Sequence, residues 1–140
     1  MSYTKITRCD AIRFLQSQMQ EALYDIRVQT GKTIRCAYDN VKIDEGDDTF
    51  IRFTINFNAI PERLTHDIQR QAGIAVCRVS TKVGVGSFES AQITDIIESS
   101  FTNLEWTDDS LKIDRVGITN LGVEDSHYSE NVSIHFEYFK

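Results

Sequence analysis

The chain has 140 residues, 41% of them hydrophobic and 26% charged, which suits one soluble domain spanning residues 1–140 with its own core. Its 21 acidic residues outnumber its 15 basic residues, and the resulting net charge of -6 argues against a surface built to grip nucleic acid. Apolar runs extend over only a few residues, so we predict neither a membrane-spanning segment nor a signal peptide.

The first predicted element is a helix over about residues 7–27. Apolar residues recur there at steps of three and four, which places them on one face of a helix. They are Ile12, Leu15, Met19, Leu23 and Ile26. Phe14 lies beside this stripe, either at the edge of the same core or in contact with another subunit. A short strand is predicted for residues 33–40.

An acidic segment follows the short strand. Asp44, Glu45, Asp47 and Asp48 surround Gly46, and because adjacent like charges repel while glycine permits a turn, we predict an exposed loop. The regular ligand spacing and late glutamate of a calcium loop are missing from this segment, so no calcium site is predicted.

Two strands flank a long connection. Residues 51–57 alternate apolar and polar, the pattern of a half-buried strand, whereas residues 72–82 are apolar at most positions, as in a strand covered on both faces or at the sheet centre. Between them, Pro61 argues against a central strand. Leu64 and Ile68 are four residues apart, so residues 58–71 form either a helical turn over their own core or an arm that reaches a neighbouring subunit.

The rest of the chain predicts a second helix and two more strands. Residues 87–101 form the helix, with Ser87 as N-cap, and its predicted buried stripe is Phe88, Ile93, Ile96, Ile97 and Phe101. Strands are predicted at 111–119 and 132–138, with turns at 120–122 and 125–126. Strands joined without helices favour antiparallel pairing. The predicted class is α+β: a mainly antiparallel sheet with two helices packed on one face and a long loop between two central strands.

The sequence contains no recognisable catalytic, nucleotide-binding or metal-binding motif. The Gly84–Gly86 turn before the second helix lacks the lysine of a Walker loop and the third glycine of a dinucleotide site, so we interpret it as a tight turn. Three histidines and three cysteines are dispersed, with no metal-ligand spacing: His66, His127, His135, Cys9, Cys36 and Cys77. We predict no catalytic residue, no metal and no cofactor, and a protein that works by binding.

The order of segments resembles the tail-terminator, or tail-completion, proteins of long-tailed bacteriophages. The similarity extends over nearly the whole chain. The segments that carry it are Ala11–Leu15, Tyr38–Asn40 before the acidic loop, the strands Phe50–Phe57 and Ile74–Val79, the Gly84–Gly86 turn and the ending Tyr128–Tyr138.

This resemblance implies a homo-oligomer, a hexameric ring that caps the tail tube, ends its polymerisation and joins the tail to the head-completion proteins of the neck. The ring would be assembled in the host cytoplasm and lie at the head-proximal end of the tail in the virion, touching the major tail tube protein. DNA passes its lumen without specific binding. Because like charges repel, we predict that Asp44, Glu45, Asp47 and Asp48, or Asp108 and Asp109, lie near that lumen.

Within such a ring we predict that the 58–71 segment forms the subunit interface. Ile60, Leu64 and Ile68 would be its apolar anchors and Arg63 a polar partner. Two other classes stay open at this point. One is another head–tail joining or minor tail protein, and the other is a small-molecule-binding or enzymatic α+β domain, which would need a closed pocket with convergent polar groups.

Overall fold

The structure is a computed structural model that describes residues 4–39, 49–84, 87–102, 104, 110–124 and 126–140, without the side chain of Ser87. Their elements, in chain order, are α1 (Arg8–Thr30), β1 (Arg35–Ala37), β2 (Phe50–Phe57), β3 (Glu62–Arg63), β4 (Gln69–Lys82), α2 (Ser87–Phe101), β5 (Leu111–Glu124) and β6 (His127–Phe139). The predicted α+β class is confirmed. Among the described residues, no helix is long and apolar enough to cross a bilayer.

The six strands form one sheet in the order β1-β2-β4-β6-β5, with β3 paired to the start of β4. Among the named strands, β1 and β2 pair in parallel and the other pairs are antiparallel. The prediction that the 72–82 strand lies at the sheet centre is confirmed, since β4 hydrogen-bonds β2 on one side and β6 on the other. The structure starts this strand three residues earlier, at Gln69.

One face of the sheet carries the core. Phe53, Cys77 and Val132 stand side by side in register on β2, β4 and β6, and all three are fully buried. The two helices cover this face with buried side chains of their own: Ala11, Leu15, Met19, Ala22 and Ile26 from α1, and Ile93, Ile96, Ile97 and Phe101 from α2. Because the side chains of a strand alternate, the remaining ones point to the opposite face, which neither α1 nor α2 covers.

Helix α1 has clear signals at both ends. The Thr7 side chain accepts from the backbone N–H of Asp10, and the Asp10 carboxylate accepts from the Thr7 N–H, which makes a capping box. At the other end Gly31 adopts φ 75° and its N–H donates to the Arg27 carbonyl. The helix therefore continues to Thr30, three residues beyond the predicted end. Phe14 is partly buried against the core, as the first of its two readings expected.

Helix α2 has the predicted bounds, but one predicted core residue is wrong. The Phe88 side chain is 79% exposed. It lies nine residues before Ile97, about two and a half turns of an α-helix, so the two side chains point in opposite directions. The predicted Ser87 cap involves a side chain outside the described part of the chain.

The connection between β2 and β4 is not a helical turn, so that interpretation is wrong. It folds back as a narrow antiparallel hairpin in which β3 pairs with Gln69 and Arg70. The N–H groups of Leu64 and Thr65 both donate to the Ile68 carbonyl and close its tip. The sequence misled because a four-residue apolar spacing suits a helical turn, whereas here the backbone pairing with β4 determines the conformation.

The predicted turn at residues 120–122 is also wrong, because β5 continues to Glu124. A register shift between Asn120 and Gly122 accommodates the turn-forming residues as a β-bulge, with Gly122 at φ 79°. The Asn120 side chain accepts from the Gly122 N–H at 2.7 Å. Glu124, the last residue of β5, pairs with His127, the first residue of β6.

Close packing at Gly73 leaves no room for a side chain. Phe57 and Phe136 flank this glycine in register, and their ring centroids are 5.6 Å apart. A Cβ atom on Gly73 would lie 2.5 Å from the Asn56 carbonyl oxygen and 2.6 Å from Phe136 Cζ. We predict that Gly73→Ala lowers the free energy of unfolding by about 1–3 kcal/mol, the usual effect of overpacking, as measured by urea denaturation.

Gly117→Ala is the matched control for this substitution. Gly117 also lies in a strand, but no atom lies within 4 Å of a Cβ built there. Its alanine variant should unfold at nearly the same urea concentration as the wild type. Equal stability of the two alanine variants would contradict the packing constraint at Gly73.

Candidate interaction surfaces

Large apolar side chains that stay exposed occur in three places among the described residues. The first is the segment 58–68, called the arm below. The second is the outer side of the helix layer, called the helix patch, and the third is the edge strand β5 with the neighbouring end of β4. The exposed side chains are Ile60 in the arm, Tyr24, Val28 and Phe88 in the helix patch, and Val83, Ile118, Leu121 and Val123 at the edge strand.

The base of the arm is held by several hydrogen bonds. The Asn58 N–H donates to the Ala72 carbonyl at 2.9 Å, and the Gln71 side-chain amide donates to the Asn58 carbonyl at 2.8 Å. Gln69 and Lys140 exchange two backbone hydrogen bonds of 2.9 and 2.8 Å. The arm therefore projects from a fixed base, and Ile60 near its start is 85% exposed.

The four residues predicted for the subunit interface all lie in this arm. Arg63 is exposed and belongs to β3, while Leu64 and Ile68 are half-buried and face each other across the tip. Leu64 and Ile68 therefore contribute to the hairpin itself, and Ile60 is the apolar side chain most available to another molecule. An interface role for these residues stays a prediction.

Ion pairs orient the arm against the sheet. Arg70, on β4, pairs with Glu62 of β3 and lies 3.8 Å from Glu137 of β6. Each of these side chains is partly exposed to solvent, and exposed pairs contribute only about 0–1 kcal/mol. Their effect is to favour one position of β3 beside β4.

The helix patch combines one turn of α1 with the start of α2. Tyr24 and Val28 are four residues apart, each 65% exposed, and lie nine residues from the buried Leu15 and Met19, on the opposite side of α1. Phe88 lines a groove of about 480 Å³ together with residues 29, 30 and 32 at the end of α1.

Two polar contacts fix the helices beside each other. The Gln18 side-chain amide, in the middle of α1, donates to the Ser100 carbonyl near the end of α2 at 3.1 Å. At the other end of the pair, Lys32 and Glu89 form a 2.9 Å ion pair. The helices are therefore antiparallel neighbours, joined by polar contacts at two separate points.

The edge strand β5 pairs with β6 on one side only among the described strands. Its 14 residues include Ile118, Leu121 and Val123, all exposed. Bulges between Ile113 and Arg115 and between Asn120 and Gly122 interrupt its regular ladder. Exposed edges of this length are available for pairing with another chain, and bulges reduce that tendency.

A further surface is the open sheet face, defined as the side chains of β2, β4, β5 and β6 that point away from the helices. Its centre is Ile74 and Val76 on β4, both half-buried, with Thr54 and Ser133 beside Val76 in register. In the next row Arg52 stands opposite Arg78, which forms a 3.2 Å ion pair with Glu124. Alternation along each strand indicates which side chains of β2 and β6 point outward, but their juxtaposition across the sheet depends on strand register.

The same row contains a buried polar atom. Asn131 follows Arg78 in register, and its Oδ1 is buried without a hydrogen-bond partner. A buried acceptor without a donor is unfavourable by about 1–3 kcal/mol. The Arg52–Arg78–Asn131 row is therefore a place where the isolated sheet face is not fully satisfied.

The predicted lumen residues lie outside the described part of the chain. This applies to Asp44, Glu45, Asp47 and Asp48 and equally to Asp108 and Asp109. Within the residues that are described, no three histidine, cysteine, aspartate or glutamate side chains are grouped closely enough to hold a metal ion. Grooves at the surface are open and lined by residues of α1, β1 and α2.

Cys36 and Tyr38 titrate only at high pH. Burial raises the pKa of the Cys36 thiol to about 11, and burial together with the nearby Cys36 raises the pKa of the Tyr38 phenol to about 12. Tyr38 accepts a hydrogen bond from the Gln20 side-chain amide, and its ring meets Phe53 edge to face. This contact joins the β1 end of the sheet to α1.

Comparison with known proteins supports the fold alone. No protein-family model matches the chain, and no curated protein is significantly similar to it. One of the solved structures that match, whose name states no function, aligns with 88% of this chain and 94% of its own, at a TM-score of 0.62 and 16% identity. A domain of nearly the same extent therefore shares the architecture described above.

The raised pKa of Cys36 makes stability depend on pH in the alkaline range. The unfolded thiol loses its proton near pH 9.0, whereas the folded thiol retains it to about 11. We therefore expect the free energy of unfolding to fall as pH rises through this window, because deprotonation favours the unfolded chain. Urea denaturation at neutral pH and at several values across the window measures the slope.

Cys36→Ser should make that slope shallower, since the serine hydroxyl does not titrate in this range. Cys9→Ser is the matched control, because Cys9 is exposed and its replacement should leave the slope as in the wild type. A Cys36→Ser variant with the wild-type slope would show that other groups govern the alkaline loss.

Proposed function

We propose that this chain is a structural virion protein that assembles into a ring, caps a phage tail tube and ends its polymerisation. The observation that carries the proposal is the exposure of Ile60 on an arm with a fixed base. An isolated domain gains nothing from an apolar side chain held in water, whereas a neighbouring subunit can bury it.

The segment order supports the same proposal. The pieces that resemble tail-terminator proteins coincide with folded elements: α1, the strand β2, the centre of β4, and β6. The connection between β2 and β4, which its length and composition predict to be the subunit contact, contains the arm. The proposal therefore rests on a likeness of segments and on one exposed, well-supported projection.

A ring gives a simple physical mechanism for length control. Heterologous contacts between identical subunits close a ring when each step rotates by the same fraction of a turn, and a closed ring leaves no free lateral interface. One side of the ring would bind the last turn of the tube through the contacts a further tube subunit would use. The other side presents a different surface, which tube protein cannot extend and which neck proteins can bind.

DNA would pass through the ring without being held. The chain carries a net charge of -6, and like-charge repulsion from phosphates disfavours adhesion. The proposal places Asp44, Glu45, Asp47 and Asp48 near that passage.

Reversing these four charges to lysine should slow DNA release from assembled particles without changing tail length.

The arm provides a direct test of assembly. We expect the wild-type ring to have a mass of about 96 kDa, six times the 16.0 kDa of one chain, by native mass spectrometry or light scattering. Ile60→Asp should reduce the fraction of assembled protein at least about tenfold, because a carboxylate would be buried at an apolar contact. Ile60→Val, which keeps the site apolar, should assemble nearly as the wild type does.

Ile60 is a better choice for this test than Leu64. The Leu64 side chain is half-buried inside the hairpin, so Leu64→Asp would also disturb the fold of the arm. Circular dichroism should show unchanged unfolding of the Ile60→Asp variant. An Ile60→Asp variant that still assembles like the wild type would remove the arm from the interface.

Particle assembly tests the function itself. Cells that produce the phage without this chain should accumulate tails of irregular length that do not join heads, as seen by electron microscopy. Tails of normal length that fail to join heads would instead support a head–tail joining role. Normal, fully joined particles would contradict both roles.

A further inference from the structure

We infer that the open sheet face of one copy binds the helix patch of a second copy, so that subunits associate head to tail. This inference deepens the proposed function, since it rests on self-assembly and identifies the two surfaces that meet. It follows from the composition of both surfaces and from their positions on opposite layers of the domain.

The centre of the open sheet face has the chemistry of a protein interface. Ile74 and Val76 form an apolar strip on β4, and their neighbours in register are the small polar residues Thr54 and Ser133 and the imidazole of His135. None of the described helices covers this face. A flat apolar centre with a polar and charged rim is the usual arrangement of specific protein contacts.

The open sheet face is basic although the chain is acidic. Across β2, β4, β5 and β6 its basic side chains outnumber its acidic ones by six to two. The basic ones are Arg52, Arg70, Arg78, Lys82, Lys112 and Arg115. The acidic ones are Glu124 and Glu137. This surface therefore favours an acidic partner.

The helix patch supplies the opposite charge. Helix α2 contains Glu89, Asp95 and Glu98 and no basic residue. On the outer side of α1, the exposed Glu21 and Asp25 flank Tyr24, against one exposed basic side chain, Arg27, beside Val28. Complementary charge of this kind sets the orientation of a docked partner and suppresses wrong pairings.

The helix patch also supplies apolar anchors of the right kind. Tyr24, Val28 and Phe88 project into solvent from a pair of helices joined by polar contacts. Aromatic side chains dominate the binding energy of interfaces when they are buried at the centre of the contact. On the open sheet face they would find Ile74 and Val76, with donors and acceptors around them.

The two surfaces belong to opposite layers, so each copy has one of each. Contact between unlike surfaces generates a chain of subunits that closes into a ring or continues as a filament, depending on the rotation per step. A symmetric contact between two open sheet faces is disfavoured, because it would bring basic side chains such as Arg78 and Lys82 close to those of the other copy.

Complementary variants test this inference in solution. Phe88→Glu removes the helix patch and leaves the open sheet face intact, while Val76→Glu does the reverse. Each variant alone should associate at least about tenfold more weakly than the wild type. An equal mixture should form a dimer of about 32 kDa, twice the 16.0 kDa chain, and stop there, because each copy retains one intact surface.

Further variants separate loss of contact from loss of fold. Val76 is half-buried, so Ser133→Arg serves as a second disruption of the open sheet face, and thermal unfolding should show that each variant is folded. Val123→Glu, on the exposed edge strand, is the matched control and should assemble as the wild type does. The inference would be overturned if the Phe88→Glu variant assembled as the wild type does. It would also be overturned if Val123→Glu were the one variant that lost assembly.

Three other results would also overturn it. The mixture of the two variants could stay monomeric, or the wild-type chain could be monomeric at its highest soluble concentration. In a binding assay, the open sheet face could bind tail tube protein and not a second copy of this chain. The particle test above is independent of all three. A ring built through other contacts would keep the proposed function while contradicting this interface.

Discussion

The pairing of β4 with its two neighbours is the constraint on which the rest of the structure depends. Strand β4 is hydrogen-bonded to β6 along its whole length and to β2 along eight residues. Once alternate residues of β4 face the helices, the register determines which residues of β2 and β6 face them as well. Phe53, Cys77 and Val132 meet for this reason. A shift by one residue would place arginines under the helices and the apolar row in water, so the register is strongly determined.

The same constraint produces two chemically different faces. Helix α2 contributes only acidic charge, whereas the sheet face turned away from it gathers basic side chains from four strands. The net charge of -6 does not reveal either surface, because it sums the acidic charge of one and the basic charge of the other. The two layers of the domain therefore differ in charge, and a partner that suits one layer does not suit the other.

Much of this fold could be predicted from local patterns, and most of its surfaces could not. The alternation in β2 and the stripe in α1 follow from periodicity, since burial on one face repeats every two or 3.6 residues. The prediction that Phe88 is buried was wrong because it lies in the first turn of α2. No earlier residue of the helix shows there which face is apolar. Arg52 and Arg78 stand opposite each other only through strand pairing, and no local pattern links residues that far apart. The hairpin of the arm depends on the pairing of β3 with Gln69 and Arg70, which no local pattern indicates.

The two bulges of β5 bear on whether this edge of the sheet can grow by adding strands. A 14-residue edge with exposed isoleucine, leucine and valine resembles the templates on which aggregates grow by adding strands. Each bulge breaks the even spacing of free N–H and C=O groups, so an incoming strand finds at most a few consecutive bonds. The irregular edge is therefore a poorer template for strand addition than a regular edge of the same length would be.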